Sequence, residues 1–222
     1  MAKFPEGIVI RIFFLSIVLL LAVASGAMAA DQGFYFGLSA GGNLAAGEAE
    51  NTSLTGSFNF SYAPGYMGSL ALGYRLAPNS PIGDGRVELE LGYRTNPLDQ
   101  IEFSDGKFDA DGDATAISLM LNAYGEYPES DGPLIPYVGI GVGVATVSLE
   151  GFELAGDAVV DDSDTVFAYQ LAAGVDYPLS KRLVLDFGYR FFGTLDPELT
   201  DALGETIETE YQVHSFQLGL RF

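Results

Sequence analysis

The chain has 222 residues, enough for one domain, and carries 30 Asp and Glu against 10 Lys and Arg, a formal net charge of −20. This excess of negative charge argues against a nucleic-acid partner, because phosphate binding needs a basic face. The absence of Cys excludes a disulfide framework and thiolate sites for metals or redox chemistry.

The N-terminus has the features of an export signal. Basic residues precede an apolar run at 12–23, and Ala-Met-Ala at 27–29 supplies the small-x-small pattern that signal peptidase cleaves. An uncleaved membrane anchor is the weaker alternative, because a helix that crosses a bilayer takes about 20 apolar residues. We expect residues 1–29 to be a cleaved signal peptide and residues 30–222 to form the mature domain.

The mature chain alternates apolar and polar residues in eight segments, each about the length of a tilted membrane strand of roughly 9–11 residues. The segments are 33–42, 66–76, 85–95, 115–127, 136–146, 166–177, 182–192 and 211–222. The third has the cleanest alternation, with Val87, Leu89, Leu91 and Tyr93 against Arg86, Glu88, Glu90 and Arg94. The pattern predicts an all-β fold, an eight-stranded antiparallel up-and-down barrel closed by pairing 33–42 with 211–222.

Connection lengths and aromatic residues both indicate a membrane barrel. Short connections at 77–84, 128–134 and 178–181 alternate with long ones, as in outer-membrane barrels that begin in the periplasm. Aromatic residues then fall at two ends, as rings at both lipid–water boundaries require. The short-turn end has Phe34, Tyr74, Tyr127, Tyr177 and Phe222, and the long-loop end has Tyr93, Phe167, Tyr189 and Phe191.

Two kinds of eight-stranded barrel differ in which face of their strands points inward. In a soluble, lipocalin-like barrel the apolar face points inward and the other face meets water. In a membrane barrel the apolar face meets lipid. The second face here is poor in Lys and rich in Gly, Ala, Ser and single charges, unlike a soluble surface, which mixes many charges of both signs. The sequence therefore favours a barrel in the outer membrane of a Gram-negative cell.

Several motifs resemble the opacity-protein-like outer-membrane β-barrel family. They are the first strand at 33–42, the Gly-rich segment 136–145, the segment 167–175 with Tyr-Pro-Leu-Ser at 177–180, the Gly-Tyr-Arg repeats at 73–75, 92–94 and 188–190, and the terminal Phe222. The resemblance covers the strands of the mature chain and none of the loops. It implies a surface antigen, an adhesin or a small porin-like protein, and it assigns no functional residue.

The candidate site is a set of charged residues on the inward face. They are Arg75, Arg86, Glu88, Glu90, Arg94, Asp186, Arg190 and Arg221. Opposite charges at these positions should pair, because an unpaired buried charge is very costly. The pairing predicts a hydrogen-bonded plug that stiffens the barrel, and the alternative is a narrow polar channel through the same residues.

The long loops carry most of the acidic residues. Asp109, Asp111 and Asp113 are weak candidates for a metal site, since Ca²⁺ and Mg²⁺ favour several carboxylate oxygens, but the spacing does not fit an EF-hand. Acidic loops that simply stay solvated are the bland alternative. Divalent cations that bridge these loops to neighbouring lipopolysaccharide are a further hypothesis.

No nucleophile–base pair is visible in the sequence. The single His, His214, is followed by Ser215, and adjacent strand residues point to opposite faces, so the two cannot pair readily. We expect no enzyme activity and no cofactor. The predicted function is a monomeric outer-membrane surface protein that acts through acidic extracellular loops, in contact with lipid, lipopolysaccharide and divalent cations. The alternative function is a narrow passive channel for ions or small solutes.

Overall fold

The computed structural model describes residues 33–51, 56–76, 84–103, 106–128, 132–154, 157–200, 206–209 and 211–222. The predicted signal peptide, residues 1–29, lies outside these ranges. Within them, no helix is long and apolar enough to cross a membrane.

The described chain is almost entirely antiparallel strand. The strands are β1 (Gly33–Asn51), β2 (Gly56–Tyr62), β3 (Gly65–Arg75), β4 (Gly85–Phe103), β5 (Gly106–Glu126), β6 (Ile135–Leu154), β7 (Asp157–Ser180), β8 (Leu183–Thr194), β9 (Glu198–Thr200), β10 (Thr206–Thr209) and β11 (Gln212–Arg221). Neighbours pair in the ring β1-β3-β4-β5-β6-β7-β8-β11, and β11 pairs back onto β1 from Gly37↔Arg221 to Ala46↔Gln212. The predicted eight-stranded barrel and its closure are confirmed.

The stagger of the ring sets the tilt of its strands. Stepping from each residue to its paired partner on the next strand, once around the ring, leads from Val175 of β7 back to Thr165 of the same strand. The two residues are ten positions apart, so the shear of the barrel is ten residues. With a rise of about 3.3 Å per residue and strands about 4.8 Å apart, this shear tilts the strands about 40° from the barrel axis. An eight-stranded barrel of this geometry has an interior that side chains alone can fill.

The two faces of the strands differ as the alternation predicts. Inward residues are mostly buried, and outward residues form a continuous apolar belt in which Ile140 is 66% exposed. A soluble protein rarely exposes so large an apolar surface, whereas a membrane barrel places it against lipid. Aromatic pairs flank the belt, with ring centroids 5.1 Å apart for Phe34 and Tyr74 and 6.3 Å apart for Tyr66 and Tyr93.

Most of the ring strands are longer than the sequence predicts. β4 and β5 pair as far as Phe103↔Gly106, and β6 and β7 as far as Leu154↔Asp157, so two of the predicted long loops are largely hairpin. We call the end that carries these hairpins the hairpin end, and the opposite end the turn end. Short strands complete the hairpin end, since β2 pairs with β1 and β4, and β10 pairs with β1 and β9.

Candidate functional site in the barrel lumen

Arg86 is the centre of the charged layer nearest the turn end. Its guanidinium forms ion pairs with Glu88 Oε1 at 3.1 Å, Glu126 Oε1 at 2.6 Å and Asp176 Oδ2 at 3.3 Å. The same group lies 4.1 Å from the ring centroid of Tyr124, close enough for a cation–π contact. A buried guanidinium with three carboxylate partners and an aromatic neighbour is well compensated for its loss of water.

Two further Arg side chains join this layer. Arg221 forms an ion pair with Asp176 and lies 3.6 Å from Glu126 Oε1. Arg75 also lies 3.6 Å from Glu126, but its side chain is 36% exposed at the mouth of the turn end. Water therefore reaches the outermost Arg, while the others are enclosed.

A second layer lies deeper in the lumen. Arg190 forms an ion pair with Glu90, which is fully buried. Gln170 donates to Asn122 Oδ1 at 2.5 Å and accepts from Arg94 at 3.3 Å, and Arg94 also donates to Ser118 Oγ at 3.0 Å. Arg94 is held by hydrogen bonds to neutral side chains, and its charge lies 4.0 Å above the Phe192 ring.

The structure places all eight predicted residues in the lumen or at its mouth, but not all in ion pairs. Among the described residues, Asp186 accepts a hydrogen bond from Gln217 at 3.4 Å and lies directly across from Asp176 on the neighbouring strand. The sequence-based set omitted two carboxylates that organise the turn-end layer, Glu126 and Asp176. Both side chains follow the same alternation as the other inward residues of their strands, and that alternation in the sequence would have identified them.

Glycines make room for the large lumen side chains. A Cβ atom on Gly139 would lie 2.3 Å from the Tyr124 ring, and one on Gly174 or Gly188 would lie 2.5 Å or 2.6 Å from the Tyr137 hydroxyl. These are closer than any real contact, so the two Tyr rings occupy space that only glycine leaves free. Tyr124 and Tyr137 then pack edge to face, 5.6 Å apart.

Little free space remains among the charges. A cavity between the two charged layers has a volume of about 30 Å³, and its lining includes Glu88, Glu90 and Arg190. A single water needs about 10–15 Å³, so the cavity holds about two water molecules. It offers no continuous path for a solute.

An apolar cluster closes the lumen toward the hairpin end, and we call it the apolar cap. Its buried members are Leu98, Ile101, Ala110, Ala114, Ala116, Met120, Ala145, Val147, Leu149, Ala168, Phe192, Leu199, Tyr211 and Val213. Tyr62 packs against it, and burial raises the pKa of the Tyr62 and Tyr211 phenols, so both stay neutral. The apolar cap was not predicted. It continues the inward faces of the strands beyond their predicted ends.

The three weak metal candidates lie on a strand and not in a loop. Asp109, Asp111 and Asp113 belong to β5 and point outward, exposed, at intervals of about 6.6 Å along an extended backbone. Asp109 accepts a hydrogen bond from Gln100 at 3.3 Å. Within the part of the chain that the structure describes, no group of three His, Asp or Glu residues is close enough to hold a metal ion.

His214 and Ser215 point to opposite faces of β11, as predicted. Ser215 is fully buried and donates to Asn43 Oδ1 at 2.7 Å inside the lumen. His214 faces outward, where its Nδ1 lies 2.7 Å from the Tyr189 hydroxyl oxygen. The serine and the imidazole therefore do not form a nucleophile–base pair with each other.

A family model and two solved structures indicate the same kind of molecule. A family model described as an outer membrane protein beta-barrel domain matches residues 16–222. An uncharacterised protein of Brucella abortus is 26% identical over 205 residues, covering 74% of this chain and 70% of that protein. The outer membrane protein OprG of Pseudomonas aeruginosa has a TM-score of 0.55 and 15% identity, covering 88% of this chain and 99% of that one. Neisserial surface protein A has a TM-score of 0.50 and 20% identity, covering 85% and 95%.

Proposed function

Because the chain belongs to the outer membrane protein β-barrel family and lies in the outer membrane, we propose that it is a non-enzymatic surface protein with a closed lumen. It acts as a monomer, through the acidic outer surface of its hairpin end. The turn end faces the periplasm. The observation that carries the proposal is the filling of the lumen, where side chains surround a cavity of only about 30 Å³ between the charged layers and the apolar cap lies beyond them.

The charge of the hairpin end supports an interaction role. Asp99, Asp109, Asp111, Asp113 and Glu150 are exposed there on the described strands. Asp113 lies opposite Glu150 on the next strand, and like charges placed directly opposite repel each other. A partner that brings positive charge relieves this repulsion. Divalent cations supply such charge, and they would bridge these carboxylates to the phosphates of neighbouring lipopolysaccharide.

The alternative function, a narrow channel for ions, rests on the charged lining of the lumen. Such a channel needs water along its whole length, because ions leave water at great cost. The side chains of the apolar cap are hydrocarbon apart from the Tyr hydroxyls, so they supply few partners for an ion, and the charged groups of the lower layers already bind each other. A closed lumen therefore fits the described residues better than a pore.

Conductance of the refolded mature chain in a planar bilayer tests the proposal. Folding is confirmed first by the shifted mobility of the unheated protein on a gel. We expect no steady current steps in 1 M KCl, either from the wild-type chain or from Glu90→Gln. Asp109→Asn, on the outer surface, is the matched control. Cation-favouring steps that Glu90→Gln reduces and Asp109→Asn leaves unchanged would make the protein a pore and overturn the proposal.

A further inference from the structure

The lipid-facing surface carries a shallow apolar groove across β7, β8, β11 and β1. Its volume is about 590 Å³, and its outward lining consists of Ala40, Ala173, Phe187, Tyr189, Phe216 and Leu218. Small side chains on the two flanking strands leave the space, and the bulky residues of β8 and β11 form its ridges. Because this face lies in the membrane, the groove faces acyl chains.

The groove straddles the middle of the apolar band, and its upper end reaches into the outer half of the membrane. On strands tilted by about 40°, each residue advances about 2.5 Å along the barrel axis. Phe222 lies at the turn end, and Phe216 is six residues from it, or about 15 Å along the axis. His214 is eight residues away, or about 20 Å, which is close to the far boundary of an apolar band about 25 Å tall.

His214 therefore lies above the groove, at the depth of lipid head groups. Its Nδ1 is 2.7 Å from the Tyr189 hydroxyl oxygen, and its ring lies 5.2 Å from the Phe191 ring between centroids. These contacts fix the imidazole on the outer surface. Among the described residues, nothing hydrogen-bonds its Nε2. When the Tyr189 hydroxyl donates to Nδ1, Nε2 carries a proton and can donate to an anion.

The rest of the outward surface makes this position distinctive. The outward residues of the described ring strands between the two aromatic bands include no Lys or Arg. Beyond them, at the hairpin end, the exposed surface is strongly acidic and repels phosphate. An anionic head group thus finds one basic side chain at the correct depth, directly above an apolar groove.

We propose that the groove and His214 together bind one phosphorylated lipid of the outer leaflet, of the lipid A type. One acyl chain lies in the groove against the side chains of Phe187, Tyr189, Phe216 and Leu218, with Ala173 at its edge. A phosphate oxygen accepts a hydrogen bond from His214 Nε2. This site goes beyond the proposed function, since it depends on the membrane location and the outer surface, and not on the closed lumen.

Native mass spectrometry of the protein released from nanodiscs tests the site. The nanodiscs contain phosphatidylcholine doped with either monophosphorylated or phosphate-free lipid A, and the readout is the number of lipid A molecules that stay bound. Ala173→Leu fills the groove. Ala123→Leu, outward and exposed on β5, is the matched control. His214→Phe keeps the ring contacts with Tyr189 and Phe191 but has no N–H group to donate to a phosphate.

We expect the wild-type chain and Ala123→Leu to retain one phosphorylated lipid, and Ala173→Leu to lose it. His214→Phe should weaken retention of the phosphorylated lipid about tenfold, the worth of one charge-assisted hydrogen bond, and leave the phosphate-free lipid unaffected. Equal retention by Ala173→Leu and Ala123→Leu, or by His214→Phe and wild type, would overturn the site. The conductance result would be unchanged by that failure, so the two proposals fail separately.

Discussion

At the scale of single residues, the lumen is a balanced set of charges. The described lumen carries Arg75, Arg86, Arg94, Arg190 and Arg221 against Glu88, Glu90, Glu126, Asp176 and Asp186. Each carboxylate is stable without water only because a guanidinium or an amide is near it. The pair of Arg190 and Glu90 is enclosed deep in the lumen, and it joins strands that lie far apart around the ring.

Loss of Arg190 should therefore be costly. Arg190→Met leaves Glu90 buried without its ionic partner, and we expect the free energy of unfolding to fall by about 3–5 kcal/mol. Urea unfolding in detergent micelles, followed by circular dichroism, measures the change. Arg182→Met, in an exposed turn, is the control and should stay within about 0.5 kcal/mol of wild type.

The double variant Glu90→Gln/Arg190→Met separates the ion pair from simple packing. With both charges removed, the unpaired carboxylate is gone, and we expect much of the lost stability to return. An Arg190→Met protein as stable as Arg182→Met would show that the pair contributes nothing to the barrel.

The inward charges could be predicted, but their partners could not. Alternation alone places Glu88 and Glu90 on the inward face, because successive strand residues point to opposite faces. Which Arg reaches which carboxylate depends on the stagger of the ring, which brings Arg190 of β8 to Glu90 of β4 across the lumen. Local sequence contains no such information. The inward position of Glu126, at the end of β5, follows from the alternation, but the three Arg residues that surround it could not be foreseen.

At the scale of whole strands, the hairpin end is a folded extension of the barrel with its own apolar interior. Ile101 of β4 is 2% exposed within the apolar cap, beyond the predicted end of its strand. The hairpins therefore hold a defined shape beyond the lipid belt, instead of moving as separate loops.

Removal of a side chain from the apolar cap should loosen this extension and leave the ring intact. We expect Ile101→Ala to cost about 2–5 kcal/mol of local stability, from lost burial and the cavity left behind. Limited proteolysis should cut the β4–β5 hairpin faster, while the heat-sensitive gel mobility of the barrel persists. Ile117→Ala, on the lipid-facing side of β5, is the control. Equal protection of both variants would mean that the cap does not stabilise the hairpins.

The sequence does not predict this extension of the strands, because its amino-acid composition is not typical of β-strands. Asp and Asn are depleted in strands, so the acidic run from Asp109 to Asp113 reads as loop. The inward residues of this part of β5 include Ala110, Ala114 and Ala116. Their side chains are small, so the apolar alternation is weak although all three are buried in the apolar cap. Bulges such as the one between Pro97 and Gln100 also shift the parity, which breaks the pattern at the point where β4 leaves the lipid belt.

At the scale of the whole molecule, the short turns and the long hairpins lie at opposite ends, which gives the barrel an orientation in the membrane. The chain has no Cys, so a single introduced Cys reports one position. We expect Ser163→Cys, exposed on the β6–β7 hairpin, to react with a membrane-impermeant maleimide on intact cells. Lys181→Cys, in a short turn, should react only after the outer membrane is permeabilised. The reverse pattern would invert the proposed orientation.

Fold class was the most predictable property, because it depends on features repeated in every strand. Eight alternating segments, two aromatic bands and sorted connection lengths each indicate a membrane barrel independently. The groove above which His214 lies was not foreseen, because it depends on side-chain sizes on four strands that are far apart in sequence.

The closure of the ring has a consequence for how the chain reaches its folded state. Ser215 donates to Asn43, 172 residues earlier, so the first strand finds its second neighbour only when the last strand is present. Pairings this distant in sequence form slowly, and until then β1 and β8 each present an open edge that can pair with another chain. A chain that emerges N-terminus first therefore cannot fold progressively as it emerges. Protection of its early strands until the C-terminus arrives is a requirement that the topology itself imposes.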